Sequence, residues 1–101
     1  MYLVRNTFRA QRGHAPVLID LFKAINQALT SQNGFSNGKI YADMTGPMDT
    51  IIWQIEAESL DQFYQVERGL FVNPDAATQG MIDTLNNNAV EGRRDIFEVI
   101  L

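Results

Sequence analysis

The chain has 101 residues, 20% of them charged, and its 8 basic and 12 acidic side chains give a net charge of −4. This length provides one hydrophobic core and predicts a single domain over residues 1–101. The acidic balance argues against nucleic acid as a partner, and no apolar run reaches the ~20 residues of a membrane span. The absence of cysteine excludes disulfides and thiolate chemistry, and it is consistent with a cytoplasmic location.

The first half of the chain predicts a strand, a helix and a second strand. Residues 2–9 mix β-branched, aromatic and polar side chains, as strands do. A helix follows from Pro16, where a missing N–H costs nothing, and apolar residues recur in it at helical spacing. Asn33-Gly34 predicts its end, and residues 38–45 form the second strand.

The third strand and the second helix follow a dense group of turn-forming residues. Thr50–Glu56 alternates, so that Trp53 shares one face with its apolar neighbours and is predicted to lie in the core. Ser59 and Gln62 have the spacing of a capping box, which opens the second helix. This helix is interrupted at Asn73-Pro74, because a residue that precedes proline avoids the helical conformation.

A further helical segment and a terminal strand complete the chain. The segment is expected to have Asn73 as its N-cap and to point three residues inward, namely Ala77, Met81 and Leu85. Residues 94–101 predict the last strand, with Phe97 facing the helices and Ile96 facing away from them.

The resulting βαββαβ order predicts an α+β fold: a ferredoxin-like antiparallel sheet with its helices on one face. The other face, which we call the open face, then has no cover within the chain. An uncovered sheet face with apolar residues usually marks an association surface. We therefore predict a homodimer that forms through the open face, with the same patch used by both copies.

Two stretches of the sequence resemble a known superfamily. Arg5–Phe8, followed by Gly13 and an apolar helix, resembles the start of the dimeric α+β barrel superfamily. Thr45–Trp53, with Ser59–Phe63 after it, resembles the NIPSNAP-like branch. The resemblance implies a ferredoxin-like protomer whose sheet stacks on that of a second copy. The superfamily includes cofactor-free monooxygenases, haem-degrading enzymes, isomerases and members without known activity, so the fold does not select one function.

The haem-degrading branch of this superfamily pairs an asparagine on the first strand with a tryptophan and a histidine on the second helix. Asn6 matches the first of these positions. Residues 60–85 contain neither tryptophan nor histidine, so two of the three positions are unmatched. We therefore expect no cofactor.

Polar residues on the predicted open face are candidates for ligand contacts. Tyr41, Asp43 and Gln54 alternate with apolar residues that face the helices. In a closed dimer cavity, desolvation would raise the pKa of a carboxyl group such as that of Asp43 and make it a base. The alternative is that these side chains form hydrogen bonds across the dimer interface.

Two further candidates lie near the start of the chain. Asn6 is unusual in a strand and either orients a ligand carbonyl, as the resemblance implies, or sits at a bulge or interface hydrogen bond. His14, the only histidine, either acts as a base or joins nearby arginines in holding an anion, or it is a solvent-exposed loop residue. One histidine is too few for a typical multi-histidine site, so no metal is expected.

The sequence therefore leaves open whether the protein is an enzyme. The first hypothesis is a small NIPSNAP-like homodimer that binds an apolar metabolite in a sheet-face cavity. The alternative is a cofactor-independent monooxygenase or isomerase of the antibiotic-biosynthesis-monooxygenase type, which requires an enclosed pocket of about 300 Å³ or more. The predicted ligand-binding residues are Asn6, Tyr41, Asp43, Gln54 and His14.

Overall fold

The computed structural model describes residues 1–101 as one four-stranded antiparallel sheet with three helices. The elements are β1 (Tyr2–Ala10), α1 (Ala15–Thr30), β2 (Phe35–Ala42), β3 (Thr50–Ala57), α2 (Leu60–Phe71), α3 (Ala76–Asn88) and β4 (Ala89–Glu98). The strand order is β2-β3-β1-β4, which confirms the ferredoxin-like prediction. None of the helices combines the length and the apolar character that crossing a bilayer requires.

The core lies between one face of the sheet and the helices. Alternate residues of β1 and β3 point toward it, and Val4, Ile51 and Ile55 are almost completely buried. From the helical side, α1 contributes Leu18 and Phe22, which lie in the same apolar cluster. This arrangement leaves the opposite, open face of the sheet uncovered within the chain.

The helix α1 ends earlier than the sequence predicts, and β2 starts earlier. Ser31 caps α1, and the left-handed conformation belongs to Gly34, with φ of 93°. Because Gly34 completes the turn, the buried Phe35 is already in the sheet and pairs with Ala57. Pairing is then interrupted around Asn37, which also has a positive φ, and resumes at Lys39.

The helix α2 begins where its capping pattern predicts. The Ser59 side chain accepts a hydrogen bond from the backbone N–H of Gln62 at 3.2 Å. The Gln62 side chain does not complete the reciprocal bond of a capping box. It instead donates to the carbonyl of Asn33 at 2.7 Å and ties α2 to the turn after α1.

The helix α3 is capped by Asp75 rather than by Asn73. The Asp75 carboxylate accepts a hydrogen bond from the backbone N–H of Thr78 at 2.7 Å. With this start, Thr78 is buried and Ala77 is exposed, so the prediction that Ala77 points inward is wrong. The inward placement of Met81 and Leu85 is confirmed.

The strand β4 presents the opposite face from the one predicted. Its pairing with β1 sets Arg94 beside Asn6 and Ile96 beside Val4, on the helix-covered face. Phe97 pairs with Leu3 on the open face, so the predicted orientations of Ile96 and Phe97 are wrong. The apolar run at the end of the chain does not alternate, and register with β1 therefore decides which side chains are covered.

Candidate functional site

An apolar cavity of about 120 Å³ lies between the covered face of the sheet and the three helices. We call it the interlayer pocket. Its walls are mainly aromatic and aliphatic side chains from β1, β3 and all three helices, including Phe8, Phe22, Trp53, Phe63, Leu70, Met81 and Leu85. A dry cavity of about 150 Å³ with similar walls accommodates benzene, so this pocket has the size of a single ring.

Asn6 is the buried amide of the interlayer pocket. Asn6 is 3% exposed and lies on the covered face. Its cross-strand neighbours are Trp53 on β3 and Arg94 on β4. Its Oδ1 accepts a hydrogen bond from Nε of Arg94 at 2.8 Å, whereas its Nδ2 has no partner. Buried side-chain donors are normally paired and an unpaired one is costly, so Asn6 is a polar group whose burial the contacts within the chain do not offset.

Arg94 is held by Glu67 at the edge of the pocket. Its Nη1 and Nη2 lie 3.0 and 2.6 Å from the two carboxylate oxygens of Glu67, a bidentate arrangement. The guanidinium also lies over the ring of Phe63, 5.1 Å from the centroid. Glu67 and Arg94 are the only ionisable residues in the pocket lining, and their charges neutralise each other.

Trp53 forms one wall of the pocket and is also a core residue, as predicted. It is 5% exposed, and its ring is nearly parallel to that of Phe22, with 6.4 Å between the centroids. Its indole N–H donates to Oδ1 of Asn26 at 3.0 Å. The indole therefore offers a ligand its apolar surface and no free hydrogen-bond donor.

Tyr41 and Gln54 lie together on the open face, outside the interlayer pocket. Gln54 accepts a hydrogen bond from Nε of Arg5 at 3.2 Å, and its Nε2 lies 3.4 Å from the hydroxyl of Tyr41. The structure therefore brings these two predicted residues together but separates them from Asn6 by the thickness of the sheet. Their role in ligand binding stays a prediction.

Asp43 directly follows β2, and its side chain accepts hydrogen bonds within the turn after that strand. Its Oδ1 accepts hydrogen bonds from the backbone N–H groups of Thr45 at 2.9 Å and Gly46 at 2.7 Å. These bonds hold the pKa of Asp43 below its ordinary value. In the single chain this shift is opposite to the one that a closed dimer cavity would produce, and a ligand role for Asp43 stays a prediction.

His14 lies at the start of α1, away from the pocket. Its Nδ1 is 2.7 Å from Oδ1 of Asn88, and Nδ2 of Asn88 donates to the carbonyl of Thr84. That second bond identifies the atom facing His14 as an acceptor, so His14 carries its proton on Nδ1. The nearby N–H of Gly13 donates to the carboxylate of Asp49 at 3.1 Å, so the chain itself supplies an anion there. A ligand role for His14 stays a prediction.

Two residues of the pocket escaped sequence reasoning. No motif in the sequence marks Glu67, and Arg94 is notable there only as the first residue of the predicted last strand. They lie 27 positions apart, and no local pattern joins them. The one signal for Arg94 in the sequence is that its side chain lies on the same face of the sheet as that of Asn6. This becomes visible only when β4 is paired with β1 in the correct register.

Comparisons with solved structures find the same architecture in proteins of very different sequence. A protein assigned as an antibiotic biosynthesis monooxygenase from Deinococcus radiodurans aligns over 98% of this chain and 92% of its own, with 19% identity and a TM-score of 0.75. An uncharacterised NIPSNAP domain protein from Burkholderia xenovorans aligns over 98% and 94%, with 12% identity and a TM-score of 0.73. SnoaB, a cofactor-independent oxygenase from Streptomyces nogalater, aligns over 99% and 93%, with 12% identity and a TM-score of 0.74.

No family model matches the chain, and no curated protein matches it significantly. At 12–19% identity, the structural similarities concern the fold and do not transfer an activity. They cover almost the whole of each chain, so they include the sheet and the helices. The chain has a ferredoxin-like α+β fold, and the solved antibiotic biosynthesis monooxygenases and the NIPSNAP domain protein have the same fold.

Proposed function

We propose that this protein binds a small apolar molecule, about the size of one ring, in the interlayer pocket. The observation that carries the proposal is the cavity itself, which three helices and the sheet enclose with an almost entirely apolar lining. A cavity with an apolar lining and very few convergent polar groups is typical of small-molecule sites. The proposal moves the predicted ligand from the open face to the covered face of the sheet.

Toluene is a suitable first probe because it is a single apolar ring. We expect it to shift the indole N–H resonance of Trp53 in a protein-observed NMR titration, since Trp53 lines the pocket and is the only tryptophan. Saturable shifts restricted to pocket residues support the proposal. Scattered, non-saturating shifts, or none, contradict it.

Ala28→Leu provides a test by occlusion. Ala28 lines the pocket from α1, and the larger side chain would fill part of the roughly 120 Å³ space. We expect weaker toluene binding or none. The matched control is Ala24→Leu, an exposed position on the same helix that does not line the pocket, which should leave the Kd unchanged.

The geometry of the interlayer pocket does not favour catalysis in that pocket. The cavity is well below the ~300 Å³ typical of ligand sites that enclose a larger substrate. The carboxylate of Glu67 is paired with Arg94, which makes it a poor general base. His14 and Asp43 lie outside the pocket lining.

We also propose that two copies associate through the open face, as predicted. That face exposes apolar side chains, with Phe97 46% exposed beside the guanidinium of Arg5 at 5.2 Å from its ring centroid. Phe97→Asp should give a monomer in light-scattering mass measurements at micromolar concentration. Phe71 is equally exposed, at 44%, but lies in the helical layer, so Phe71→Asp is the control and should retain the dimer. Wild-type protein that is monomeric contradicts the proposal.

A cytoplasmic location is proposed as well, on the basis of the cysteine-free composition. Cell fractionation of the tagged protein tests it directly, and recovery with an extracytoplasmic or membrane fraction contradicts it.

A further inference from the structure

We infer that the open face binds a small carboxylate at Arg5, and that a second copy encloses this anion when it covers the face, so that anion binding and dimer formation strengthen each other. This site is distinct from the interlayer pocket, and the inference rests on the proposed association through the open face. Its basis is a positive charge on an inner strand of the sheet for which the chain supplies no counter-ion.

The site is a concave region of about 600 Å³ on the open face, which we call the open-face cavity. Residues of β1, β3 and β4 and of the loop between β2 and β3 form its lining. Three of the eight basic residues of this acidic chain line the cavity, namely Arg5, Arg9 and Arg93. Two acidic residues, Asp43 and Glu91, lie in the same lining. The pairing of these groups therefore decides which charge stays uncompensated.

Every charged group of the open-face cavity except Arg5 has a partner within the chain. Arg9 pairs with Glu91 at 3.2 Å, and Arg93 pairs with Asp95 at 3.1 Å. The other acid of the lining accepts backbone N–H groups of its own turn. Arg5 belongs to none of the ion pairs in the structure, so its charge is the one left without a counter-ion.

The guanidinium of Arg5 is held in place with two donor groups to spare. Its Nε donates to Oε1 of Gln54 at 3.2 Å, and its plane lies over the ring of Phe97 at 5.2 Å from the centroid. The two terminal nitrogens have no hydrogen-bond partner in the chain, and both keep contact with solvent. Arg5 is half-buried, whereas the other basic residues without an ion pair are all exposed: Arg12, Lys23, Lys39 and Arg68.

Association through the open face would bury this charge. Arg5 lies on β1, an inner strand in the order β2-β3-β1-β4, so a copy seated on the face covers it. The same patch serves both copies in a symmetric dimer, so the Arg5 side chains of both are brought to one interface. Burial of an unpaired charge is costly, and two like charges at one interface add to that cost.

A carboxylate offsets this cost in a way that suits the free groups of Arg5. Its two oxygens match the fork of a guanidinium, and the hydrogen bonds that form are charge-assisted. One negative charge is sufficient for one uncompensated guanidinium, and the nearby Asp43 and Glu91 disfavour an anion of higher charge. An anion that binds the dimer more tightly than the monomer stabilises the dimer by mass action.

The experiment measures the Kd of the dimer in sodium acetate and in sodium chloride at neutral pH. Equal ionic strength makes the general screening of charges the same in both salts. Light-scattering mass over a series of protein concentrations gives the Kd, which we expect to be severalfold lower in acetate. A dimer with the same Kd in both salts overturns the inference.

Arg5→Gln tests whether Arg5 is the residue that binds the anion. The substitution removes the charge and keeps a polar side chain, so we expect the difference between the two salts to disappear. The matched control is Arg68→Gln, which removes an exposed guanidinium of α2 that also has no ion pair and should keep the wild-type difference. A wild-type difference in Arg5→Gln overturns the assignment to Arg5.

An NMR titration of the wild-type dimer with acetate keeps the test independent of how Arg5→Gln folds or associates. We expect a saturable shift of the Arg5 Nε–H resonance, and its absence overturns the inference. A dimer that forms equally in both salts overturns this inference alone, including the case in which a carboxylate of the second copy occupies Arg5. Wild-type protein that is monomeric in both salts overturns the proposed association and this inference with it.

Discussion

The two faces of the sheet carry polar residues in opposite ways. On the open face, charged and polar side chains are numerous and satisfy one another, as in the pairs Arg9–Glu91 and Arg93–Asp95 at 3.2 and 3.1 Å. On the covered face, polar side chains are few, and Asn6 is bonded at its oxygen but not at its nitrogen. Each face nevertheless has one buried side-chain atom without a hydrogen-bond partner, Oγ1 of Thr50 on the open face and Nδ2 of Asn6 on the covered face.

The unpaired groups of both faces belong to buried residues, so burial identifies them better than the number of polar side chains does. Tyr41 and Gln54 attract attention in the sequence because they are polar and share a face. In the fold they form an ordinary surface hydrogen-bond chain with Arg5. Asn6 is a single asparagine in β1. Its unpaired N–H groups cost free energy only because the side chain is buried.

The largest expected effect is a difference in the stability that is lost when an isoleucine is shortened to alanine on each face of the sheet. Ile55 is completely buried on the covered face, so Ile55→Ala should lower the free energy of unfolding by about 3 kcal/mol. Ile52, three residues earlier in the same strand, lies on the open face and is half-buried, and Ile52→Ala should cost about 1 kcal/mol in the monomer. Urea unfolding followed by Trp53 fluorescence measures both.

The same pair tests the proposed dimer. If copies associate through the open face, the cost of Ile52→Ala should grow with protein concentration, because binding stabilises the folded state by mass action. The cost of Ile55→Ala should be much less sensitive. Equal costs for the two variants at low concentration would contradict the difference between the faces.

An intermediate loss of stability is expected from substitution of Gly92, because the ring of Phe8 packs against this position on the covered face of β4. A Cβ at Gly92 would overlap the ring of Phe8, which lines the interlayer pocket. Gly92→Ala should therefore destabilise the protein by about 1–3 kcal/mol and change the Kd for toluene. Gly80→Ala, in α3 with open space around it, is the control and should stabilise the protein by up to about 1 kcal/mol. Thermal unfolding distinguishes the two, and equal effects would contradict this account.

The smallest expected effect is the pH dependence of the stability that the Asp75 cap gives to α3. This helix forms one wall of the pocket. The hydrogen bond from the backbone N–H of Thr78 lowers the pKa of Asp75 below its ordinary value of 3.8. A lowered pKa in the folded state adds stability that is present above pH 3.8 and is lost as the pH falls through the lowered value. We expect the Tm of Asp75→Asn to fall less steeply with acid than that of the wild type, because asparagine caps without titrating.

Asp20→Asn, at an exposed position of α1, is the control for the acid titration. Its Tm should follow the wild-type curve closely. A wild-type slope in Asp75→Asn would show that the ionised cap does not contribute to the stability of α3.

Local patterns were sufficient for most of the fold. The alternation around Trp53, the apolar stripe of α1 and the Ser59 cap each depend on residues within one or two turns, so they can be read from the chain. The order of these elements then left few sheet topologies open. Asn6 was a candidate because asparagine is unusual in a strand.

Tertiary structure decided which polar groups meet and which face each of them occupies. The end of the chain has consecutive apolar residues at Ile96 and Phe97, so its face is set by pairing with β1 and not by its own pattern. That register places Arg94 beside Asn6, and the packing of α2 brings Glu67 to Arg94. Short-range spacing in the chain encodes the helices, the strands and most of the covered core, so these features can be predicted without the fold. The interlayer pocket exists only because distant segments pack together around it.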